Sequence, residues 1–201
     1  MHSFILASGS PHRLAILKTL IPDIQAIPPN IIESFDSSEP PETIVKCLAT
    51  QKANDVIKNH QPAKQSFIIA SDQIGVCNQE IIAKAPTNKH AFLQLKKLSN
   101  QWVTFYTSLY IYDMATQKQH VTLDTFEVKF RALNDLEIKT YIEREHILNA
   151  AGSFKVEGLG ITLFESLKGK DFHTLIGLPI IELNQALASI FNYSLLRLQF
   201  L

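Results

Sequence analysis

Apolar residues recur along the chain with two spacings, one typical of strands and one of helices. The largely apolar stretch at residues 66–72 predicts a strand buried on both faces of a helix-covered sheet. Between residues 41 and 57, apolar positions recur every three to four residues, which predicts a helix that begins at Pro41. Lys52 lies in this helix, where an exposed lysine is the default interpretation.

The rest of the pattern predicts further strands and helices, and so an α/β fold in a chain of 201 residues. That length suits one large domain or two small lobes. The predicted elements are a strand from Phe4, a helix from Pro11, a hairpin at 74–76 and 81–83, a helix at 88–98 capped by Thr87, strands at 102–112 and 119–130, a helix at 135–145 capped by Asn134, a strand at 161–164 and a helix at 180–190.

A Ser/Gly turn joins the first strand to the helix that opens at Pro11. Proline suits a first helical turn because its missing N–H would have no intrahelical partner there. The amide groups of a helix N-terminus can hold an anion, and Ser8, Ser10 and Arg13 would add two hydroxyls and a fixed cation. The turn is therefore a candidate polyphosphate site, although a serine-capped connection explains the same residues.

Two carboxylates follow apolar runs. Asp72 ends the buried run described above, and ligands of α/β sheets bind beyond strand ends, although an aspartate that caps a turn is the structural alternative. Glu33 follows two isoleucines at a predicted strand end, where most acidic residues are simply solvated. Lys84 lies at the exit of the predicted hairpin. Glycines punctuate a loop at residues 150–160 that contains Glu157, without the spacing of a dinucleotide-binding motif.

The composition is that of a globular protein, with 46% hydrophobic and 19% charged residues, rather than that of a disordered one. The formal net charge is zero, which argues against a nucleic-acid-binding protein because such proteins present a basic face. Cys47 and Cys77 make neither a disulfide framework nor a metal-binding motif. Neither a secretory signal nor a membrane-spanning apolar run is visible, so we expect a cytosolic protein without membrane partners.

Five short motifs follow one another along the chain: Leu6-Ala-Ser-Gly-Ser-Pro-x-Arg13, Ala70-Ser-Asp-Gln73, Lys84, Ala151-Gly-Ser-Phe154 and Ile176-Gly-Leu-Pro179. Each motif is weak alone, but their ordered combination resembles the Maf family of nucleoside triphosphate pyrophosphatases. The resemblance is strongest to the branch of that family that hydrolyses 7-methyl-GTP. It covers nearly the whole chain, from residue 4 to about residue 187.

The resemblance implies an elongated mixed α/β fold, of the α+β kind, similar to inosine triphosphate pyrophosphatases. A central mixed sheet with flanking helices would form a single domain over residues 1–201, with two lobes around a cleft. The resemblance also implies a divalent metal cation, magnesium or manganese, and a homodimer. The enzyme would cleave between the α- and β-phosphates, release a nucleoside monophosphate and pyrophosphate, and so remove a modified nucleotide.

Residue by residue, Asp72 matches the catalytic proton acceptor of the family, and a carboxylate can deprotonate water or hold it on a metal ion. Glu33 matches an acid that we expect near the metal, together with Asp72. The residues that match the phosphate-facing set, and would offset triphosphate charge during attack, are Ser8, Ser10, Arg13, Lys52 and Lys84.

Substrate choice is expected to depend on His12, Gln73 and Glu157, because the branch that hydrolyses dTTP and UTP usually has Arg, Thr and Gln there. Gln73 and Glu157 match the 7-methyl-GTP branch. N7-methylation makes guanine cationic, and a carboxylate can accept hydrogen bonds from its N1–H and amino group, a pairing worth roughly 1.5–3 kcal/mol. His12 stands where this branch can have tryptophan, so stacking on a cationic base would be weaker.

Two other functions fit the sequence. The first keeps the chemistry and changes the base, giving a pyrophosphatase for dTTP, UTP or other modified nucleotides. The second is a non-catalytic nucleotide-binding regulator of septum formation. Asp72, Lys84 and Arg13 argue against the regulator, because a protein that only binds nucleotides needs no general base.

Overall fold

The computed structural model describes residues 2–145 and 154–196. Within these residues the helices are α1 (Pro11–Leu20), α2 (Pro41–His60), α3 (Asn88–Leu98), α4 (Asp135–Arg144), α5 (Phe172–Ile176) and α6 (Ile180–Ser189). None of these helices is long and apolar enough to cross a membrane. The strands are β1 (Ser3–Leu6), β2 (Gln25–Ala26), β3 (Ser66–Cys77), β4 (Glu80–Ile82), β5 (Trp102–Asp113), β6 (Gln119–Phe130) and β7 (Phe164–Gly169).

These strands form a seven-stranded mixed sheet in the described part of the chain. The order is β2-β1-β3-β5-β6-β7, and β4 pairs with β3 outside this path. β1 runs parallel to both β2 and β3, whereas β4 is antiparallel to β3 and β7 is antiparallel to β6. The predicted central mixed sheet of an α/β protein is confirmed.

The chain divides into two compact units. Unit 1 comprises Met1–Asp72, Thr107–Asp124 and Gly177–Leu201, and unit 2 comprises Gln73–Tyr106 and Thr125–Ile176. The prediction of a single domain with a cleft between two lobes stays a prediction.

In unit 1, successive residues of β1 and β3 pack into two different cores, because neighbouring side chains of a strand point to opposite faces. The core that includes helices α1 and α6 contains Phe4, Leu6, Leu17, Phe67, Ile69 and Leu183. The core that includes helix α2 contains Ile5, Ala7, Ala49, Ala53, Ile68 and Ala70. The same alternation continues along β3 after Ala70. Ser71 therefore points toward the side of the sheet that holds α1 and α6, and Asp72 points toward the side that holds α2.

Unit 2 has an aromatic core. Phe154 lies edge-to-face against Phe105, Phe130 and Phe164, with ring centroids 5.5, 5.6 and 5.0 Å apart. Edge-to-face pairs of this kind add stabilisation to the area that the rings bury. The helices α3 and α4 contribute the buried side chains Leu95, Leu98, Ile138 and Tyr141 to the same core.

The predicted helix starts are confirmed by their capping hydrogen bonds. Thr87 Oγ1 accepts from the backbone N–H of His90 at the start of α3. At the start of α4, the side chain of Asn134 accepts from the N–H of Glu137, and the carboxylate of Glu137 accepts from the N–H of Asn134, each at 2.9 Å. Reciprocal capping satisfies two amide groups that the helix itself leaves unpaired.

The position of Asp72 differs from the prediction of a strand end. β3 continues past Asp72 to Cys77, and it reverses into β4 through Asn78 and Gln79, which have φ of 49° and 67°. The neighbouring strand β1 ends at Leu6, opposite Ile69. Asp72 therefore lies beyond the end of β1 but within its own strand.

Two other predicted elements are wrong. Glu33 is not at the end of a strand, because the residues around it form none; Pro28 and Pro29 precede it, and proline lacks the N–H that a sheet ladder needs. At residues 161–164, a 3₁₀ turn at Leu159–Leu163 replaces most of the predicted strand, and β7 begins only at Phe164.

Candidate active site

Lys52 and Asp72 form a buried ion pair in unit 1. Lys52 Nζ donates to Oδ1 of Asp72 at 2.5 Å and lies 2.8 Å from Oε1 of Glu33. Lys52 is 5% exposed and Asp72 is 6% exposed, whereas the side chain of Glu33 is 44% exposed. Charged groups are seldom buried unless they are paired, and here one ammonium group serves two carboxylates. The default interpretation of Lys52 as an exposed lysine is wrong.

The position of Lys52 on α2 explains its burial. Leu48 and Ala49 lie one turn before it and Val56 lies one turn after it, and all three are buried. Residues three and four apart share one face of a helix, so Lys52 lies on the apolar face of α2. Its ammonium group reaches Asp72 because that side chain of β3 points to the same side of the sheet.

The backbone of Asp72 is held by Ser108 of β5, a residue that sequence reasoning missed. Ser108 Oγ accepts from the N–H of Asp72 at 3.2 Å and donates to the carbonyl of Val45 on α2 at 2.7 Å. Ser108 is fully buried. One serine hydroxyl thus links the strand of Asp72 to the helix of Lys52, which keeps the ion pair in one geometry.

The N-terminus of α1 has the predicted serine cap. Ser10 is the N-cap residue and its side chain accepts from the N–H of Arg13, while Ser8 Oγ accepts from the N–H of Ser10 at 3.1 Å. Ser8 is buried, and Arg13 Nη1 lies 3.5 Å from its hydroxyl. These bonds confirm the capped connection. Binding of a polyphosphate at the same turn stays a prediction.

Arg13 is half-buried, and its Nε–H donates to the carbonyl of Gly177 at 2.7 Å. Burial lowers the pKa of the Arg13 guanidinium, while the negative charges of Asp72 and Glu33 act in the opposite direction and raise it. A guanidinium remains protonated in proteins. Unit 1 therefore brings together two cations, Lys52 and Arg13, and two carboxylates. It also holds the hydroxyls of Ser8 and Ser10 in the turn that precedes α1, called the α1 turn below.

Three further predicted residues, Gln73, Lys84 and Glu157, lie in unit 2. Gln73 follows Asp72 on β3, and its side-chain nitrogen donates to the backbone carbonyls of Thr174 and Leu175 at 2.7 and 3.2 Å. Lys84 is exposed and lies two residues after the end of β4. The amide of Gln73 is thus engaged by α5, an element that the sequence pattern did not predict.

Glu157 is exposed in a loop that is hydrogen-bonded to the last turns of α4 and to the residue that follows this helix. The N–H of Lys155 donates to the hydroxyl of Tyr141, and the N–H of Leu159 donates to Oε1 of Glu145, each at 3.1 Å. Burial raises the pKa of Tyr141 to about 12, so its hydroxyl stays protonated at neutral pH. Tyr141 and Glu145 support this loop and were missed, because nothing in the sequence pairs them with it. Of the motif Ala151-Gly-Ser-Phe154, residues 151–153 lie outside the described residues.

His12 lies exposed in the first turn of α1. Its predicted part in substrate choice stays a prediction.

The acidic side chains of unit 1 include two candidate ligands for a divalent cation. In the parts of the chain that the structure describes, no three His, Cys, Asp or Glu side chains are grouped to hold a metal ion. Glu33 and Asp72 nevertheless both contact one positive group, Lys52 Nζ. Magnesium is commonly held by one or two carboxylates that act together with substrate phosphates and water. The two carboxylates fit such a cation.

Comparisons with known proteins agree with one another. A family model described as Maf-like protein matches residues 3–190. The chain is 44% identical over 179 residues to a 7-methyl-GTP pyrophosphatase of Idiomarina loihiensis, covering 89% of this chain and 90% of that protein. It is 41% identical over 183 residues to a 7-methyl-GTP pyrophosphatase of Colwellia psychrerythraea, covering 91% of this chain and 90% of that protein.

Two solved structures are also similar to this one. A Ham1 protein of Staphylococcus aureus is 15% identical, with a TM-score of 0.46, over 64% of this chain and 71% of that chain. A HAM1 protein from Coxiella burnetii is 17% identical, with a TM-score of 0.47, over 65% of this chain and 73% of that chain.

Proposed function

Since the chain belongs to the Maf family of nucleotide pyrophosphatases, we propose that it hydrolyses 7-methyl-GTP to 7-methyl-GMP and pyrophosphate. The buried pair of Lys52 and Asp72, with Glu33 and Arg13 beside it, is the observation that supports catalysis most strongly. A site that only binds an anion would gain nothing from two carboxylates. The names of the two relatives support the choice of 7-methyl-GTP.

Asp72 is the proton acceptor in this proposal. Water attacks phosphorus at the α–β anhydride, its proton passes to the Asp72 carboxylate, and the P–O bond to the departing pyrophosphate breaks. Lys52 holds one oxygen of that carboxylate, and Ser108 holds the backbone behind it. Preorganised groups of this kind need not reorganise during the reaction.

Positive charge for the triphosphate comes from several groups. Arg13, Lys52 and Lys84 would offset phosphate charge as the anhydride breaks, and Ser8 and Ser10 would add hydrogen bonds. A magnesium or manganese ion held by Glu33 and Asp72 would add further positive charge and polarise the attacking water.

Recognition of the base depends on Glu157 and Gln73 in this proposal. The exposed carboxylate of Glu157 can pair with the cationic 7-methylguanine, and its loop is positioned by Tyr141 and Glu145. The amide nitrogen of Gln73 donates to backbone carbonyls of α5. In this proposal Gln73 therefore holds the backbone of α5, in addition to its part in the choice of base. Because residue 12 is a histidine, it provides no indole ring on which the base could stack.

Pyrophosphate release from the purified protein tests the function. 7-Methyl-GTP, GTP, UTP and dTTP are compared at equal concentration with magnesium, with manganese, and after treatment with EDTA. We expect the highest kcat/KM for 7-methyl-GTP, loss of turnover after chelation, and recovery when the metal is returned.

Three other outcomes would change the proposal. A preference for UTP or dTTP would keep the pyrophosphatase and overturn the assignment of the base. Full activity after chelation would remove the metal ion from the mechanism. Binding without turnover of any of the four nucleotides would favour the regulator of septum formation. The homodimer and the cytosolic location also stay predictions, which light scattering and cell fractionation can check.

A further inference from the structure

The carbonyl oxygen of Gly177 accepts two hydrogen bonds from side chains that are far apart in the sequence. Arg13 Nε donates to it at 2.7 Å, and Ser71 Oγ donates to it at 2.8 Å. Ser71 is fully buried, so its hydroxyl must find a partner within the protein. The two lone pairs of one carbonyl oxygen can serve both donors.

Gly177 is suited to this place by its backbone. Its φ is +119°, a conformation that residues with a side chain rarely adopt. A Cβ at Gly177 would lie 3.2 Å from Nε and 3.4 Å from Nη2 of Arg13. Any larger residue would therefore press on the guanidinium and strain the backbone that presents the carbonyl.

Ser71 and Asp72 work on opposite sides of β3. Adjacent strand residues point to opposite faces of a sheet. Asp72 therefore accepts from Lys52 of α2 on one face, while Ser71 donates to Gly177, three residues before α6, on the other. Arg13 reaches the same carbonyl from the first turn of α1. The strand thus supplies the proton acceptor on one side and a support for the nearby cation on the other.

We infer that Ser71 is a positioning residue for Arg13, acting through the carbonyl of Gly177, in the pyrophosphatase proposed above. With Nε–H donated to a carbonyl that Ser71 fixes, the planar guanidinium has one orientation, and Nη1 lies 3.5 Å from the hydroxyl of Ser8. This orientation holds a forked cation in place at the α1 turn, which matches the geometry of a phosphate group. The inference rests on the proposed function only for the identity of the ligand.

Ser71→Ala tests the inference, with Ser66→Ala as the matched control. Both serines are buried on β3 and donate or accept one side-chain hydrogen bond, but Ser66 bonds to Ser3 instead of Gly177. We expect Ser71→Ala to lower kcat/KM for 7-methyl-GTP by roughly three- to tenfold, the value of one hydrogen bond. Ser66→Ala should leave kcat/KM unchanged.

Coupling to Arg13 separates positioning from general stability. In an Arg13→Lys background, which lacks the guanidinium, adding Ser71→Ala should lower kcat/KM by less than about twofold. A further loss as large as that in the wild-type background would show that Ser71 does not act through Arg13, and it would overturn the inference.

A second measurement needs neither substrate nor turnover. The exchange rate of the Arg13 Nε–H with solvent is followed by NMR, with the signal assigned by its loss in Arg13→Lys. Ser71→Ala and Gly177→Ala should accelerate this exchange, and Ser66→Ala should not. Unchanged exchange in Ser71→Ala would overturn the inference even if the enzyme is active and Gly177→Ala exchanges faster. If the wild-type protein shows no turnover and Ser71→Ala still accelerates the exchange, the proposed function is refuted. The positioning of Arg13 by Ser71 then remains in place.

Discussion

The two units differ in how deeply they bury the residues proposed to act on the substrate. In unit 1, Lys52, Asp72 and Ser8 are buried, and each has hydrogen-bonded or ionic partners in that unit. In unit 2, Lys84 and Glu157 are exposed, and the core combines phenylalanine rings with aliphatic side chains. The proposed proton acceptor and the lysine paired with it are thus fixed in the interior, whereas the carboxylate proposed to pair with the base lies on a loop at the surface.

The difference has a physical basis. A buried charge must be paired before the substrate arrives, so the residues around it cannot vary independently. An exposed carboxylate is solvated before the substrate arrives, whether or not it has a partner. Its replacement therefore changes the free energy of unfolding little. We infer that proton transfer depends on the packed surroundings of Lys52 and Asp72, while the preference for a base can change through a single exposed residue such as Glu157.

Two ion pairs illustrate the contrast. Lys52 and Asp72 have side chains that are 7% and 9% exposed, whereas Lys96 and Asp135 of unit 2, at 2.9 Å, are each 57% exposed. The chemical groups are the same in both pairs. The free-energy cost of removing one partner should differ several-fold between the two pairs. Water screens the exposed pair, whereas a buried charge that loses its partner has no water to solvate it.

The largest expected effect is on turnover. Asp72→Asn keeps the size of the side chain and removes the proton acceptor, so we expect kcat to fall by roughly 10²–10⁴-fold. Asp135→Asn, which removes an exposed carboxylate from unit 2, should leave kcat unchanged. Circular dichroism shows whether both variants are folded. Activity of Asp72→Asn within tenfold of wild type would remove Asp72 from the mechanism.

The next effect is on stability. Lys52→Met leaves the Asp72 carboxylate buried without its counter-ion, and we expect the free energy of unfolding to fall by about 3–5 kcal/mol. Lys96→Met removes one side of the exposed pair and should change that free energy by less than about 1 kcal/mol. Urea denaturation of both variants provides the comparison. Losses of equal size would mean that burial does not distinguish the two pairs.

The sequence pattern predicted most elements of the fold because their burial is periodic. α2, α3, β5 and β6 have apolar residues at helical or strand spacing, and capping residues mark the helix starts. β7 was missed for the opposite reason: five of its six residues are exposed, so its sequence lacks alternation, and only pairing with β6 defines it. The short helix α5 is likewise too brief for a periodic signal.

For the candidate site, the residue types were predictable and their environments were not. The burial of Lys52 did have a signal, since it shares a helix face with Leu48, Ala49 and Val56. Ser108 had none, because a serine in an aromatic strand is as easily exposed as buried. The contact of Arg13 with Gly177 joins residues 164 positions apart, and no local pattern predicts such a contact.

The smallest expected effect concerns the base. Glu157→Gln removes the charge that would pair with 7-methylguanine, so kcat/KM for 7-methyl-GTP should fall roughly ten- to hundredfold, the value of a charge-assisted hydrogen bond. Turnover of UTP should change little, because its uracil carries no positive charge, and the free energy of unfolding should stay within about 0.5 kcal/mol of wild type.

Glu143→Gln, an exposed acid on α4 of the same unit, is the control and should affect neither substrate. Equal losses for 7-methyl-GTP and UTP in Glu157→Gln would place Glu157 in the chemistry common to all substrates. The contrast between a buried ion pair for proton transfer and an exposed loop for the base would then fail, because Glu157 would be needed for the turnover of every substrate.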